Sequence, residues 1–335
     1  MTERLHFTKI KDTRKLGSIS PGSIAFCIMS IFFLTMTLLR PHIAIASTAR
    51  GMELCAKTLI PSLFPFMVIS DILVSSGALS LLGRPLHTPM RKLFGISGDG
   101  GCAVIIGILC GFPVGTKTAV ALYEEGRISK NELEHVLMLC NLPSSAFLIN
   151  AVGISLFGSH TVGLLLYLAN IVSTLIIGLV SKAFFEIPDE PPANAQRDPR
   201  KSGASIFTSA ITSSATGMLY VCAFVVFFST LVGSLEAMIS RLSLPDIFTP
   251  LWFGFFEMTQ GVTKAALCSS RQLGLISAAI VSGWSGLSVH FQIMSLCQSH
   301  ALSFRPYFIS KLMSAIINSA IFTAAMLLLP SLLRS

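Results

Sequence analysis

The chain has 335 residues, of which 52% are hydrophobic and only 12% charged, with a mean hydropathy of +0.74. A soluble domain with a charged surface does not reach these values, so composition sets soluble enzymes and binding modules aside and indicates a polytopic membrane protein. The formal charge of +8 does not imply a nucleic-acid partner, because much of the excess gathers beside apolar runs: Arg4, Lys9, Lys11, Arg14 and Lys15; Arg84, Arg91 and Lys92; Arg197, Arg200 and Lys201.

Residues 1–20 form a basic tail expected in the cytoplasm, and residues 21–42 an N-terminal transmembrane helix around Ile24 to Leu39. Arg40 and Pro41 follow that run where a signal-peptide cleavage motif needs small residues, so it is read as an anchor. Residues 43–185 make a first repeat. Within it, Ile43 to Thr58 carries Arg50, Glu53 and Lys57 and is expected to lie in the interface. Leu59 to Leu82, with Pro61, Pro65, Asp71 and Gly77, is read as a re-entrant hairpin, and a basic loop holding Pro85 and Pro89 follows.

The stretch from Gly107 to Val120 organises the rest. Gly111, Pro113 and Gly115 weaken helix in the middle of a membrane-length apolar run, and Lys117 is expensive wherever lipid can reach it. Two half-helices meeting inside the membrane are expected, as in carriers that bind substrate near the midplane. Glu124 to Arg127 then makes a polar turn. Ser129 and Glu132 form a capping box for the next helix, which breaks between Cys140 and Phe147. Val162 to Phe185 spans, and residues 186–203 are a proline-rich linker expected in the cytoplasm.

The second repeat is placed at residues 204–300 and a C-terminal transmembrane helix at 301–335. Gly115 to Val120 corresponds to Gly261 to Leu267, placing Lys117 beside Lys264. Upstream, Ser75 to Leu79 is laid against Leu231 to Leu235, and downstream the broken Asn141 to Phe147 against Ser282 to Ser288. Broken helices in matching places of two halves point to a transporter binding site.

The expected substrate-binding residues are therefore Gly111, Pro113, Gly115, Lys117, Asn141, Ser144, Ser145, Glu257, Gly261 and Lys264. The lysines, each after a helix break, are expected to hold the carboxylates of a small anion. Glu257, inside an aromatic run, is expected to govern release or coupling. Asn141, Ser144 and Ser145 offer neutral hydrogen bonds, although small polar residues serve helix packing equally well. The eight cysteines stand singly, so neither a disulfide framework nor a metal is expected, and no cofactor either. A phosphate-binding loop at Gly111 to Thr118 fails because Thr116 separates glycine from lysine and no strand precedes it. No nucleophile with a base partner is recognisable, so an enzyme is not expected.

Gly107 to Gly115, Glu125 to Ile128, and Cys140 to Phe147 resemble the sporulation integral membrane proteins of the YlbJ type, within the wider nucleoside-recognition, or Gate, family. Gly254 to Gly261 resembles that family's glycine-glutamate-glycine segment. The resemblance implies an all-α fold related to concentrative nucleoside transporters, with two inverted repeats of hairpins and broken helices. It also implies movement of dipicolinic acid into the forming spore, across the outer forespore membrane. A nucleoside carrier, or a non-transporting membrane protein that supports spore assembly, are the alternatives.

Overall fold

The computed structural model describes residues 21–187, 203–239 and 245–328, and is all helical among them. The basic tail 1–20 lies outside the described residues, as does the linker except Glu186, Ile187 and Gly203.

Helix α1 (Pro21–Leu39) turns through 106° into α2 (Pro41–Leu54). A π-helical turn joins α2 to α3 (Ile60–Ser75), and Gly77 in left-handed conformation turns the chain into α4 (Ala78–Phe94). The stretch expected as a basic loop is thus helical. Pro85 and Pro89 each remove a backbone bond, and this is offset by Leu79, Leu86 and Met90, which α4 packs into the first core. Gly233, laid against Gly77 in the sequence, instead sits inside a continuous helix pressed on Ser47, so that upstream correspondence does not hold in three dimensions.

The remaining elements fall into two series of the same order. The first is α5 (Gly98–Cys110), α6 (Val114–Glu124), α7 (Lys130–Leu139), a π-helical segment Ala146–Leu156, and α8 (His160–Ser181). After the long α9 (Gly203–Ile239) come α10 (Phe248–Phe256), α11 (Met258–Ala266), α12 (Arg271–Trp284), α13 (Leu287–Leu296) and α14 (Arg305–Leu328). Each series opens with a helical hairpin whose base an aspartate latches. Asp99 accepts from the Arg127 guanidinium at 2.7 and 3.0 Å, and Asp246 accepts from the Ser269 amide at 2.9 Å. A serine then caps the next helix in both, Ser129 accepting from the Glu132 amide and Ser270 from the Leu273 amide. The Glu132 carboxylate does not complete the box; it accepts from the Ser97 amide and fastens α7 to the start of α5.

Among the described residues, four helices are long and apolar enough to cross a membrane, His160–Phe184, Gly203–Glu236, Arg271–Leu296 and Arg305–Leu328, and each of two bent pairs adds a further candidate span. The chain is an integral membrane protein. Its two series interlock: Leu148, Val152, Val162 and Leu166 of the first pack with Met258, Val262, Leu275 and Phe322 of the second. Val289 and Ile293 of α13, with Cys297 at its C-terminal end, join the core built from α5, α6 and α7.

Candidate functional site

Each hairpin tip rests on the break of the helix that follows it. At the first, Phe112 donates its amide to the Leu142 carbonyl at 3.0 Å, and a Cβ on Gly111 would meet the Ser144 nitrogen at 2.6 Å. At the second, a Cβ on Gly286 would lie 2.9 Å from the Met258 nitrogen. Such approach of backbone to backbone demands glycine at the contact.

The two contacts enclose one cavity of about 300 Å³. Phe112 and Pro113 come to it from the first tip, Glu257, Met258 and Thr259 from the second, Pro143, Ser144 and Phe147 from the first break, and Val289 and Gln292 from α13. Leu59, Leu63, Val221 and Val225 close the apolar side. The first turns of four half-helices therefore border a single space. Those of α6 and α13 begin without a side-chain cap, while the π segment begins with Ser144 Oγ accepting from the Phe147 amide at 3.2 Å. At α11 the cap is Glu257 itself, whose carboxylate oxygens accept from the Thr259 and Gln260 amides at 3.0 and 2.8 Å. That carboxylate neutralises one helix start and the Ser144 hydroxyl caps another; the starts of α6 and α13, which lack a side-chain cap, leave positive partial charge toward the cavity.

Of the residues expected from sequence, the structure brings Pro113, Ser144 and Glu257 to this cavity. Gly115 and Gly261 close the hairpins instead: a Cβ would stand 2.4 Å from the Cys140 carbonyl oxygen at the first and 2.3 Å from the Gly254 Cα at the second. Asn141 is buried with its side chain between the Thr116 hydroxyl and the Leu137 carbonyl, and Ser145 is part-buried and off the cavity lining.

The lysines lie off the cavity lining, each held by its own carboxylate. Lys117 donates to Asp71 Oδ2 at 2.5 Å and to Ser214 Oγ at 2.7 Å, a buried cluster that joins α6 to α3 and α9. Lys264 is half-buried against Glu236 and over the Phe253 ring. The aspartate and glutamate thus satisfy the charges for which the sequence suggests a bound anion. Sequence reasoning missed Gln292 and the α2–α3 and α9 walls, which carry no motif. Asp71 had a signal, a lone acid in an apolar run, although nothing in the sequence linked it to Lys117.

A polytopic helical membrane protein with paired hairpins resting on paired broken helices is the class that this geometry defines. Residues 56–160 match the Gate family model, described as nucleoside recognition. The sporulation integral membrane protein YlbJ of Bacillus subtilis (strain 168) is 27% identical over 322 residues, covering 85% of this chain and 78% of that protein. The resemblance carried by the Gly107 to Gly115 and Cys140 to Phe147 motifs is thereby shown. Among solved structures, CNTnw in an inward-facing substrate-bound state aligns at 12% identity and TM-score 0.42, over 91% of this chain and 87% of that one. A doubly substituted CNTnw in an outward-facing state aligns at 13% identity and TM-score 0.46, over 92% and 88%.

Proposed function

We propose that the chain is a membrane transporter of a small aromatic or carboxylate anion, with dipicolinic acid, moved into the forming spore, as its substrate. The observation that carries this is the convergence of four half-helix starts on one largely apolar cavity. Apolar walls suit a ring, and exposed helix starts favour carboxylates, each by about 0.3–1 kcal/mol and up to ~2 kcal/mol where partly buried. The relationship to a sporulation membrane protein supports the choice among such anions. In this reading the anion is recognised by backbone partial charge and by Ser144, Thr259 and Gln292, and the two lysines brace the hairpins.

Glu257 separates this reading from its main alternative. A carboxylate at the cavity wall repels an anionic substrate and so promotes its release, whereas it would accept a hydroxyl of a neutral nucleoside; the Gate match favours the latter. Glu257→Gln keeps an oxygen for capping and removes the charge. For an anion carrier, it is expected to bind dipicolinate roughly tenfold tighter, ~1.4 kcal/mol, and to turn over more slowly. Calorimetric titration of the purified protein with dipicolinate and with uridine reads this directly. Weaker uridine binding in the variant, with no dipicolinate binding to either form, would make the nucleoside reading the right one.

A further inference from the structure

The break after α7 frees backbone carbonyls inside the protein core, and the structure accounts for three in succession. The Cys140 carbonyl is packed against Gly107 and Gly115, and the Leu142 carbonyl accepts from the Phe112 amide. The Asn141 carbonyl accepts from the Nζ of Lys311, which reaches it from α14. The Asn141 side chain takes no part, being held by Thr116 and Leu137.

Lys311 is 4% exposed, and among the described residues no carboxylate lies within ion-pair distance of it. Its ammonium also stands 5.9 Å from the Tyr307 ring centroid. Lys117 and Lys264, by contrast, each have an acid. A buried cation without a counter-ion is expensive unless dipoles replace water around it. Here the dipoles are those of a half-helix C-terminus and a ring face.

In carriers with discontinuous helices, unwound carbonyls and the C-terminal ends of half-helices form the place where a coupling monovalent cation binds. The Asn141 carbonyl is such a place, two residues from the cavity-lining Pro143. We propose that the Lys311 ammonium fills this position as a tethered cation, so that the break is held and the adjacent cavity can be occupied without Na+ or K+ from solution. Its bearing on ion coupling rests on the transporter reading; occupancy of the position by the lysine does not.

The test follows the thermal midpoint of the purified full-length protein in NaCl, KCl and N-methylglucamine chloride at equal ionic strength, with no substrate. The wild-type midpoint is expected to be the same in all three. Lys311→Ala is expected to lower it, and Na+ or K+, small enough to reach the vacated carbonyl, to recover the larger part of the loss, with N-methylglucamine recovering none. Lys311→Met, which keeps bulk without charge, is expected to show the loss without recovery. A wild-type midpoint that rises in Na+, or a Lys311→Ala midpoint that no small cation raises, overturns the proposal. Should the alanine variant not accumulate, the wild-type comparison still decides, together with dipicolinate uptake in Na+ against N-methylglucamine. Uptake that requires Na+ refutes the tethered cation, whereas no uptake in any salt bears on the transporter reading and leaves the thermal result to decide this one.

Discussion

Asp71→Ala is expected to destabilise the protein by about 3–5 kcal/mol, the range for stranding one member of a buried ion pair. The Lys117 ammonium is left with the Ser214 hydroxyl alone, on a face where α3, α6 and α9 exclude water. Removing both charges relieves this. Asp71→Leu with Lys117→Met, similar in volume and free of charge, is expected to recover most of the loss, because replacing a buried pair by apolar residues is often neutral or stabilising. Thermal or denaturant unfolding of the purified single and double variants measures both. If Lys117 instead served a bound anion and needed no acid, Asp71→Ala would be mild and the double variant no better. The same cluster gives Lys117 a structural role, since it ties the first hairpin to the helices beside it.

The second large effect is expected at the hairpin seams. A methyl on Gly107 would stand 2.2 Å from the Cys140 carbonyl oxygen, and on Gly261 2.3 Å from the Gly254 Cα. Overpacking of this kind usually costs about 1–3 kcal/mol. The atoms struck here are backbone, which cannot rotate aside, so Gly107→Ala and Gly261→Ala are expected at the upper end, near ~3 kcal/mol. Gly203→Ala is the control, since nothing lies within 4 Å of the added atom. At that helix start the change is expected to be neutral or mildly stabilising. Equal melting of all three variants would show that the half-helices need not touch.

The fold was legible where a break has a chemical cause in the chain. Pro113 between glycines, Pro143 among small polar residues, and Ser285-Gly286 all interrupt apolar runs, and each marks a real interruption of helix. The α10–α11 break was legible as Gly254 to Gly261, although the residue at its corner is Glu257, which caps its own following helix. Boundaries set by tertiary packing were not legible. Pro85 and Pro89 read as loop because their local preference is against helix, and only the core contacts of α4 reverse it. Gly77 and Gly233 look alike in sequence; one ends a helix in left-handed conformation and the other admits Ser47 beside a helix.

The site was legible in outline, because broken helices place it, and illegible in its charges. A lysine in an apolar stretch announces that something must neutralise it without saying what. For Lys117 the partner is 46 residues upstream, and for Lys264 it is 28 upstream, separations that no local pattern records. Lys311 carries no signal in the sequence, because a single basic residue in a spanning run looks like one that reaches for the interface. Its place against the Asn141 carbonyl exists only once α14 is packed on α7.

The most direct measurement is uptake of labelled dipicolinate by vesicles reconstituted with the full-length protein, compared with uridine and with the mono-acid picolinate. Saturable dipicolinate uptake above that of protein-free vesicles is expected, inhibited less by picolinate, which has one carboxylate for the helix starts, and little by uridine. Uptake of uridine without dipicolinate, or of neither solute in vesicles that bind no ligand at the Glu257 cavity, would contradict an anion carrier.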